Sequence, residues 1–192
     1  MSKKRIVVFD TSVLILIAVQ PPQRAKTAED AEKRLKLITR RTHAEATLRT
    51  LHTRGFQFHV PAPVVTELLT PPALEVMAKV FNQSKRPIVR SFDERAASIA
   101  NRMYAEAVKR KKADEPRACV KYDLLIAAIA HHVDATYLVT ANPRDFDRHL
   151  RDVGSHVQVL RADEPNLEIN QVQLPLEQRE PDDDADDDAA DN

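Results

Sequence analysis

The stretch IVVFDTSVLILIAV, residues 6–19, decides the fold of this 192-residue chain. Together with Arg5, its first residues form a short β-branched and aromatic run without alternation, which predicts a strand buried on both faces of a parallel sheet. TSVLILIAV then predicts a short buried helix that Thr11 or Ser12 caps and that the following Pro-Pro pair ends. Asp10 lies between these two elements, at the carboxyl end of the strand. A carboxylate in such apolar company is unfavourable unless it is paired, hydrogen-bonded or bound to a cation.

Further strands alternate with helices along the rest of the chain. Short apolar runs predict four more strands, in the segments FQFHV, PIVR, ATYLVTAN and HVQVL. A long polar helical pattern covers residues 26–54, as one helix or as two; Thr27 and Asp30 resemble a start signal and Gly55 a stop. Strands that alternate with helices predict an α/β domain of three layers, with a mostly parallel sheet of about five short strands.

The charges of the chain are distributed unevenly along its length. The net charge is zero, but residues 163–192 carry 12 acidic residues and one basic residue, which leaves 28 Lys and Arg against 17 Asp and Glu in residues 1–162. We therefore expect a basic folded domain over residues 1–162 and an acidic, disordered tail over residues 163–192. The basic domain favours a polyanionic partner such as nucleic acid, although scattered surface lysines would give the same total. The tail either competes with that partner or only keeps the chain soluble.

The cellular compartment is constrained by the cysteine count and by the N-terminus. A single cysteine, Cys119, excludes an internal disulfide and fits a reducing compartment. The apolar run after Lys3, Lys4 and Arg5 imitates a secretory signal, but it contains Asp10 and no small-residue cleavage site follows it. The run is also shorter than the about 20 residues that span a bilayer. We expect a cytoplasmic protein without a membrane partner.

Carboxylates interrupt three other apolar segments. Glu67 lies in PAPVVTELL, Asp123 in the predicted first turn of the helix KYDLLIAAIAHHV, and Asn142 and Asp145 follow a strand in LVTANPRDF. Taken singly, each of these residues fits a helix cap or an exposed helix face, and Asp10 alone could cap the helix that follows it. Sites in parallel α/β sheets form at the carboxyl ends of the strands, where several acids brought together would repel one another. A hard divalent cation such as Mg²⁺ or Mn²⁺ would remove that repulsion, so the pattern favours a metal site.

The order of these segments is typical of a known family. VVFDTSVLI, PAPVVTELL, YDLLIAAIA and LVTANPRDF resemble the PIN-domain family, most of all its VapC-type toxin ribonucleases, and the resemblance extends over residues 5–160. It implies a PIN-like fold and a Mg²⁺- or Mn²⁺-dependent endoribonuclease that hydrolyses RNA phosphodiesters. It also implies that the protein is the toxin of a type II toxin–antitoxin pair, with a cognate antitoxin as partner, and that it forms a homodimer.

The resemblance also implies roles for individual residues. The catalytic residues would be Asp10, Glu67, Asp123, Asn142 and Asp145. Asp10, Asp123 and Glu67 would bind the metal. Supporting hydrogen bonds would come from Thr11, Ser12 and Thr140. The chain departs from the family pattern in three respects: Asn142 is neutral, which leaves a second metal open, the stretch over residues 20–54 is longer than expected for compact toxins, and the acidic tail is additional.

Basic residues near these segments are candidates for phosphate contacts. They are Arg144, beside the predicted site, and the run Lys109, Arg110, Lys111 and Lys112. For the run, a solvated helix end explains the same charges, because cations are favourable at a helix C-terminus.

Other functions of α/β domains fit the sequence less well than the nuclease. A phosphatase of the haloacid dehalogenase type needs a second Asp where Ser12 stands, and a receiver domain offers no equivalent of Glu67. Two alternatives stay open: a PIN nuclease that processes RNA without an antitoxin, and a catalytically silent PIN module that only binds.

Overall fold

The computed structural model describes residues 5–22, 24–68, 87–110 and 117–165. Strands and helices alternate through these ranges. In chain order the elements are β1 (Ile6–Phe9), α1 (Thr11–Ala18), α2 (Ala28–Thr53), β2 (Gln57–Pro61), α3 (Ala62–Glu67), β3 (Ile88–Arg90), α4 (Glu94–Arg110), α5 (Arg117–His132), β4 (Tyr137–Thr140), α6 (Pro143–Asp152) and β5 (Gln158–Arg161). None of the helices within these ranges combines the length and the apolarity that a membrane crossing needs.

The five strands form one parallel sheet in the order β3-β2-β1-β4-β5. Val8 in the central strand β1 is paired with His59 on one side and with Leu138 on the other. From β1 the chain adds β2 and then β3 on one side of this central strand, and it then adds β4 and β5 on the other side. The order of the strands therefore reverses between β1 and β4, which is the position where open α/β sheets form their binding sites.

Helices cover both faces of the sheet. Successive side chains of β1 point to opposite faces, so Ile6 and Val8 join one core while Val7 and Phe9 join the other. The first core is completed by α3, α4, α5 and α6, and the second by α1 and α2. The predicted α/β class, with three layers and five short strands, is confirmed, and every strand pair is parallel.

The long polar pattern forms one helix, α2. Thr27 and Asp30 form a capping box at its start: the Thr27 hydroxyl accepts from the Asp30 N–H at 3.1 Å, and the Asp30 carboxylate accepts from the Thr27 N–H at 3.2 Å. Gly55 follows the C-terminus with φ of 77°, a conformation that glycine adopts without steric strain. The start and stop signals in the sequence are therefore both used.

Two helix starts differ from the sequence-based expectation. The cap of α1 is Asp10 itself, whose side chain accepts from the Ser12 N–H, and not Thr11 or Ser12. Helix α5 begins at Arg117, so Asp123 lies in its second turn instead of the first. A favourable interaction with the helix dipole is confined to the first turn and therefore does not explain a carboxylate at Asp123.

The described chain remains packed slightly beyond the predicted end of the domain. Asp163, assigned to the tail by the sequence, is 4% exposed. Its carboxylate accepts from Arg40 Nε at 2.7 Å and from Arg161 Nε at 2.9 Å. Burial alone would raise the pKa of Asp163, but these two guanidinium groups lower it below its ordinary value. Residues 166–192 lie outside the described ranges, so the disordered tail stays a prediction.

Asp163→Asn should destabilise the protein by about 1–3 kcal/mol at neutral pH, because hydrogen bonds to a charged group are lost. A carboxyl with a lowered pKa stabilises the fold above its unfolded-chain pKa, and this contribution disappears as the pH falls through the folded value. The difference in the free energy of unfolding between wild type and Asp163→Asn, measured in urea, should therefore be largest near pH 7 and shrink below pH 4. An equal difference at both pH values would contradict the ion pairs.

Candidate active site

The predicted site residues lie at the carboxyl edge of the sheet, where the strand order reverses. Asp10 directly follows β1 and is 6% exposed. Its backbone N–H donates to the Val139 carbonyl in the neighbouring strand β4 at 3.0 Å. Thr140 ends β4 and Asn142 caps the next helix, so the ends of the two central strands bring these side chains together.

Two hydroxyl groups hold the Asp10 carboxylate in place. Ser12 Oγ donates to Asp10 Oδ2 at 2.5 Å, and Thr140 Oγ1 donates to the same oxygen at 2.8 Å. Each hydroxyl in turn accepts from a backbone N–H: Ser12 Oγ from Ala141 at 3.0 Å, and Thr140 Oγ1 from Asn142 at 3.0 Å. Each hydroxyl therefore donates to Asp10 while it accepts from the backbone. This network fixes the orientation of the Asp10 carboxylate.

The two oxygens of Asp10 have different environments. All of its described side-chain hydrogen bonds, including a longer one from the Ser12 N–H at 3.4 Å, end on Oδ2. No residue in the described ranges donates to Oδ1. Oδ1 is thus the oxygen of this buried carboxylate that is available to a ligand.

Glu67 reaches the same region from α3. The Thr11 hydroxyl at the start of α1 donates a short hydrogen bond to Glu67 Oε2, and Glu67 is otherwise exposed. This hydrogen bond joins the residue next to Asp10 in sequence to an acid 56 positions further along the chain. The predicted supporting residues Thr11, Ser12 and Thr140 therefore all contact predicted acids.

Asp123 carries the clearest electrostatic sign of a shared site. Burial is the main cause that raises the pKa of its carboxyl from 3.8 to about 7. Repulsion from three other carboxylates adds to this rise, in decreasing order from Asp10, Asp145 and Glu67. The fold therefore places four acids from four separate segments close enough to repel one another. A carboxyl with so strongly raised a pKa, placed beside other acids, is typical of functional sites.

Asn142 and Asp145 lie at the exposed side of the site. Asn142 caps α6 by position, but its side chain makes no capping hydrogen bond; its Nδ2 donates to Asp145 Oδ2 at 3.4 Å. Asp145 also lies 3.8 Å from an Arg148 guanidinium nitrogen, a distance at which an exposed pair contributes little. Arg144, the predicted phosphate contact, is exposed beside them.

The other predicted RNA contacts are only partly described. Lys109 is exposed near the end of α4 and forms an ion pair with Glu106 at 2.5 Å, which fits a solvated helix end. The side chain of Arg110, and the residues Lys111 and Lys112, lie outside the described part of the chain.

The donor set fits a hard divalent cation in its chemistry. Within the described ranges, no group of three or more His, Cys, Asp or Glu side chains is already arranged to hold a metal ion. Mg²⁺, however, keeps several waters and usually binds through one or two carboxylates, so it does not require such a group. Asp10 Oδ1 and the carboxylate of Asp123 are the two groups that a cation would compensate best.

Sequence reasoning did not identify the backbone part of the site. The Ala141 and Asn142 N–H groups orient the hydroxyls that hold Asp10. The signal for this was present in the segment LVTANP, because a chain that leaves a strand and starts a helix at a proline turns sharply and exposes successive N–H groups. The identity of the side chains, however, does not show in which direction these backbone N–H groups point.

The fold and site define an α/β protein with a carboxylate cluster at its topological switch point. The sequence matches no family model and no curated protein. Two similar solved structures are those of VapBC2 from Rickettsia felis bound to a DNA fragment from their promoter and of DNA-bound VapBC from Salmonella typhimurium. The first has 15% identity and a TM-score of 0.49 over 82% of this chain and 99% of that chain. The second has 20% identity and a TM-score of 0.46 over 82% and 98%. Likeness at these scores carries no inference about this chain, whose α/β class follows from its own strand order.

Proposed function

We propose that this protein is a metal-dependent endoribonuclease. The observation that supports this proposal best is the convergence of acids from four separate segments around Asp123, whose pKa is raised to about 7 by burial and by repulsion from Asp10, Asp145 and Glu67. Acids gathered in this way are unfavourable to fold, and a bound divalent ion would neutralise them. The order of motifs in the sequence, which resembles the PIN-domain family, supplies the reaction class.

The residues of the site would divide the work as follows. Asp10 and Asp123 would hold Mg²⁺ or Mn²⁺, and Glu67 would complete the ligands or orient the attacking water. A bound divalent ion supplies a Lewis acid for the phosphodiester and lowers the pKa of water. Ser12 and Thr140 hold the Asp10 carboxylate in a fixed orientation. Asn142 and Asp145 lie at the exposed side, where they would hold waters of the site or a second, more weakly bound ion. Hydrolysis in line would leave a 5′-phosphate and a 3′-hydroxyl.

We further propose, on the sequence resemblance, that the protein acts in the cytoplasm as the toxin of a type II pair. A cognate antitoxin would then bind it, and it would form a homodimer. A small gene directly upstream that encodes a DNA-binding protein, and its co-purification with this chain, would support the toxin. Cleavage without such a gene would instead support a nuclease of RNA processing.

Metal requirement tests the proposed activity directly. Single-stranded RNA should be cleaved in the presence of Mg²⁺ or Mn²⁺, cleavage should stop with EDTA, and excess Mg²⁺ should restore it. An Asp10→Asn protein purified in parallel reports any contaminating ribonuclease. Wild-type cleavage above the Asp10→Asn background that continues in EDTA would remove the metal mechanism. Binding of RNA without cleavage under any of these conditions would favour the catalytically silent module.

A further inference from the structure

Helix α2 is longer than the sheet requires. Its 26 residues extend for about 39 Å at 1.5 Å per residue, whereas the strands of three to five residues extend for about 10–17 Å. The residues of α2 that are buried, Ala44, Thr47 and Leu51, all lie in its C-terminal half. Because α2 leads into the first residue of β2, its C-terminus lies at the amino edge of the sheet. Its N-terminal half must therefore project past the carboxyl edge.

An ion pair marks the level at which α2 passes that edge. Asp163 lies just after the end of β5, at the carboxyl edge, and pairs with Arg40. The residues of α2 that precede Arg40 thus extend beyond the edge where Asp10 and Asn142 lie. The projecting half is on the same end of the molecule as the candidate active site.

A basic groove lies between this projecting half and the chain that leads into it. Four of its lining residues are basic and one is acidic; the groove is lined by Pro22, Arg24, Lys26, Asp30, Lys33, Arg34 and Leu37. Lys33 pairs with Glu29 at 2.5 Å, and Asp30 is engaged in the capping box with Thr27. Arg24, Lys26 and Arg34 form no ion pair with any residue in the described ranges. The groove therefore carries uncompensated positive charge.

Arg34 lines this groove and is half-buried, and its buried Nε has no hydrogen-bond partner among the described residues. Buried N–H donors without an acceptor are rare in folded proteins, because the lost hydration is not replaced. A guanidinium group matches the oxygens of a phosphate in its charge and in the geometry of its N–H donors.

We propose that this groove binds the phosphate backbone of the RNA on which the candidate active site acts. The inference rests on the proposed nuclease function and names an RNA-binding surface for it. The acidic C-terminal residues are a weaker candidate for the groove, because Asp163, Glu164 and Pro165 line the opposite side of α2, with Lys36 and Arg40. The described chain thus ends on a different face of the helix from Arg34.

Equilibrium binding to RNA tests this surface in the full-length chain. The background variant Asp10→Asn prevents cleavage, and fluorescence anisotropy with a labelled single-stranded RNA of mixed sequence gives Kd over a range of salt concentrations. Arg34→Gln and Lys26→Gln should each weaken binding about 3- to 10-fold at low salt and lower the slope of log K against log salt by about 0.7. Arg49→Gln removes the same charge from the exposed C-terminal half of α2 and should leave both values nearly unchanged.

The outcomes separate this inference from the proposed function. Kd values and slopes for Arg34→Gln and Lys26→Gln that equal those of Arg49→Gln would overturn the groove, even if the wild type cleaves RNA. Tighter RNA binding by Arg34→Gln would also overturn it, since the acidic tail would then be the natural occupant. Weaker binding by both groove variants supports the groove even if the wild type does not cleave. Lys26→Gln is decisive where Arg34→Gln unfolds, because Lys26 is exposed.

Discussion

Asp123→Asn should lower RNA cleavage about a thousand-fold and, in the same protein, raise thermal stability. The loss of activity is expected because the variant removes a charged ligand of the proposed cation, which accounts for several kcal/mol of transition-state stabilisation. The gain in stability is expected because the variant removes a half-buried charge that three other carboxylates repel. An acid with only a structural role would not give both effects.

The stability effect should depend on pH in a defined direction. The pKa of Asp123 is about 7 in the folded protein, against an ordinary value of 3.8 in the unfolded chain. Between these values the folded protein holds a proton that the unfolded chain releases, so stability falls as the pH rises from about 4 through 7. Asn does not titrate and is not subject to this loss. After allowance for solvent screening, Asp123→Asn should exceed the wild type in free energy of unfolding by about 1 kcal/mol at pH 8. This corresponds to a rise in Tm of about 2–4 °C, and the two proteins should hardly differ at pH 4.

Thermal unfolding with and without Mg²⁺ measures this prediction. Without metal, Asp123→Asn should unfold at a higher temperature than the wild type at pH 8; with Mg²⁺ the wild type should gain stability and the variant should gain little. Glu32→Gln, an exposed loss of the same charge on α2, is the matched control and should not alter the pH dependence. Equal Tm values at pH 8, or equal gains with Mg²⁺, would contradict a repelled carboxylate that binds a cation.

The layout of the fold could be predicted from the sequence because local patterns report it directly. The uninterrupted apolar run of β1 indicates a strand covered on both faces, and the structure places it at the centre of the sheet. The ends of α2 are set by Thr27 and Asp30 at its start and by Gly55 after its C-terminus. These signals are hydrogen bonds and a backbone angle that depend only on neighbouring residues. Asp10 stood out because an acid between two apolar elements requires a partner.

Contacts between distant segments could not be predicted in the same way. The sequence indicates that Asp163 is the first acid of an acidic tail. Its partner Arg40 is 123 positions away, so no local pattern shows that the two residues pair. The prediction that Asp123 lies in the first turn of α5 was wrong, because the polar and charged residues before it do not show the apolar pattern that marks a helix start. The basic groove of α2 was missed for a similar reason: basic residues occur on several sides of this helix, and only the path of the chain shows which of them share a groove.

Asp10→Asn should abolish cleavage, to less than about a thousandth of the wild-type rate, while it preserves the fold. Ser12 and Thr140 both donate to Asp10 Oδ2, and backbone N–H groups fix the direction of both donors. In the variant, the amide oxygen must therefore take the position of Oδ2. The NH₂ group is then placed where Oδ1 was, so a donor replaces the oxygen that is available to a ligand.

Three measurements distinguish this local exchange from general damage. The circular dichroism spectrum of Asp10→Asn should match that of the wild type, and its Tm should not fall below the wild-type value, since the capping and hydroxyl contacts persist and one repelling charge is removed. Isothermal titration with Mn²⁺ should show binding to the wild type and strongly weakened binding to the variant. Asp147→Asn, an exposed change of the same kind on α6, should retain both cleavage and metal binding. Normal Mn²⁺ binding by Asp10→Asn would mean that Asp10 Oδ1 is not a ligand, and the assignment of the metal to this edge of the sheet would fail with it.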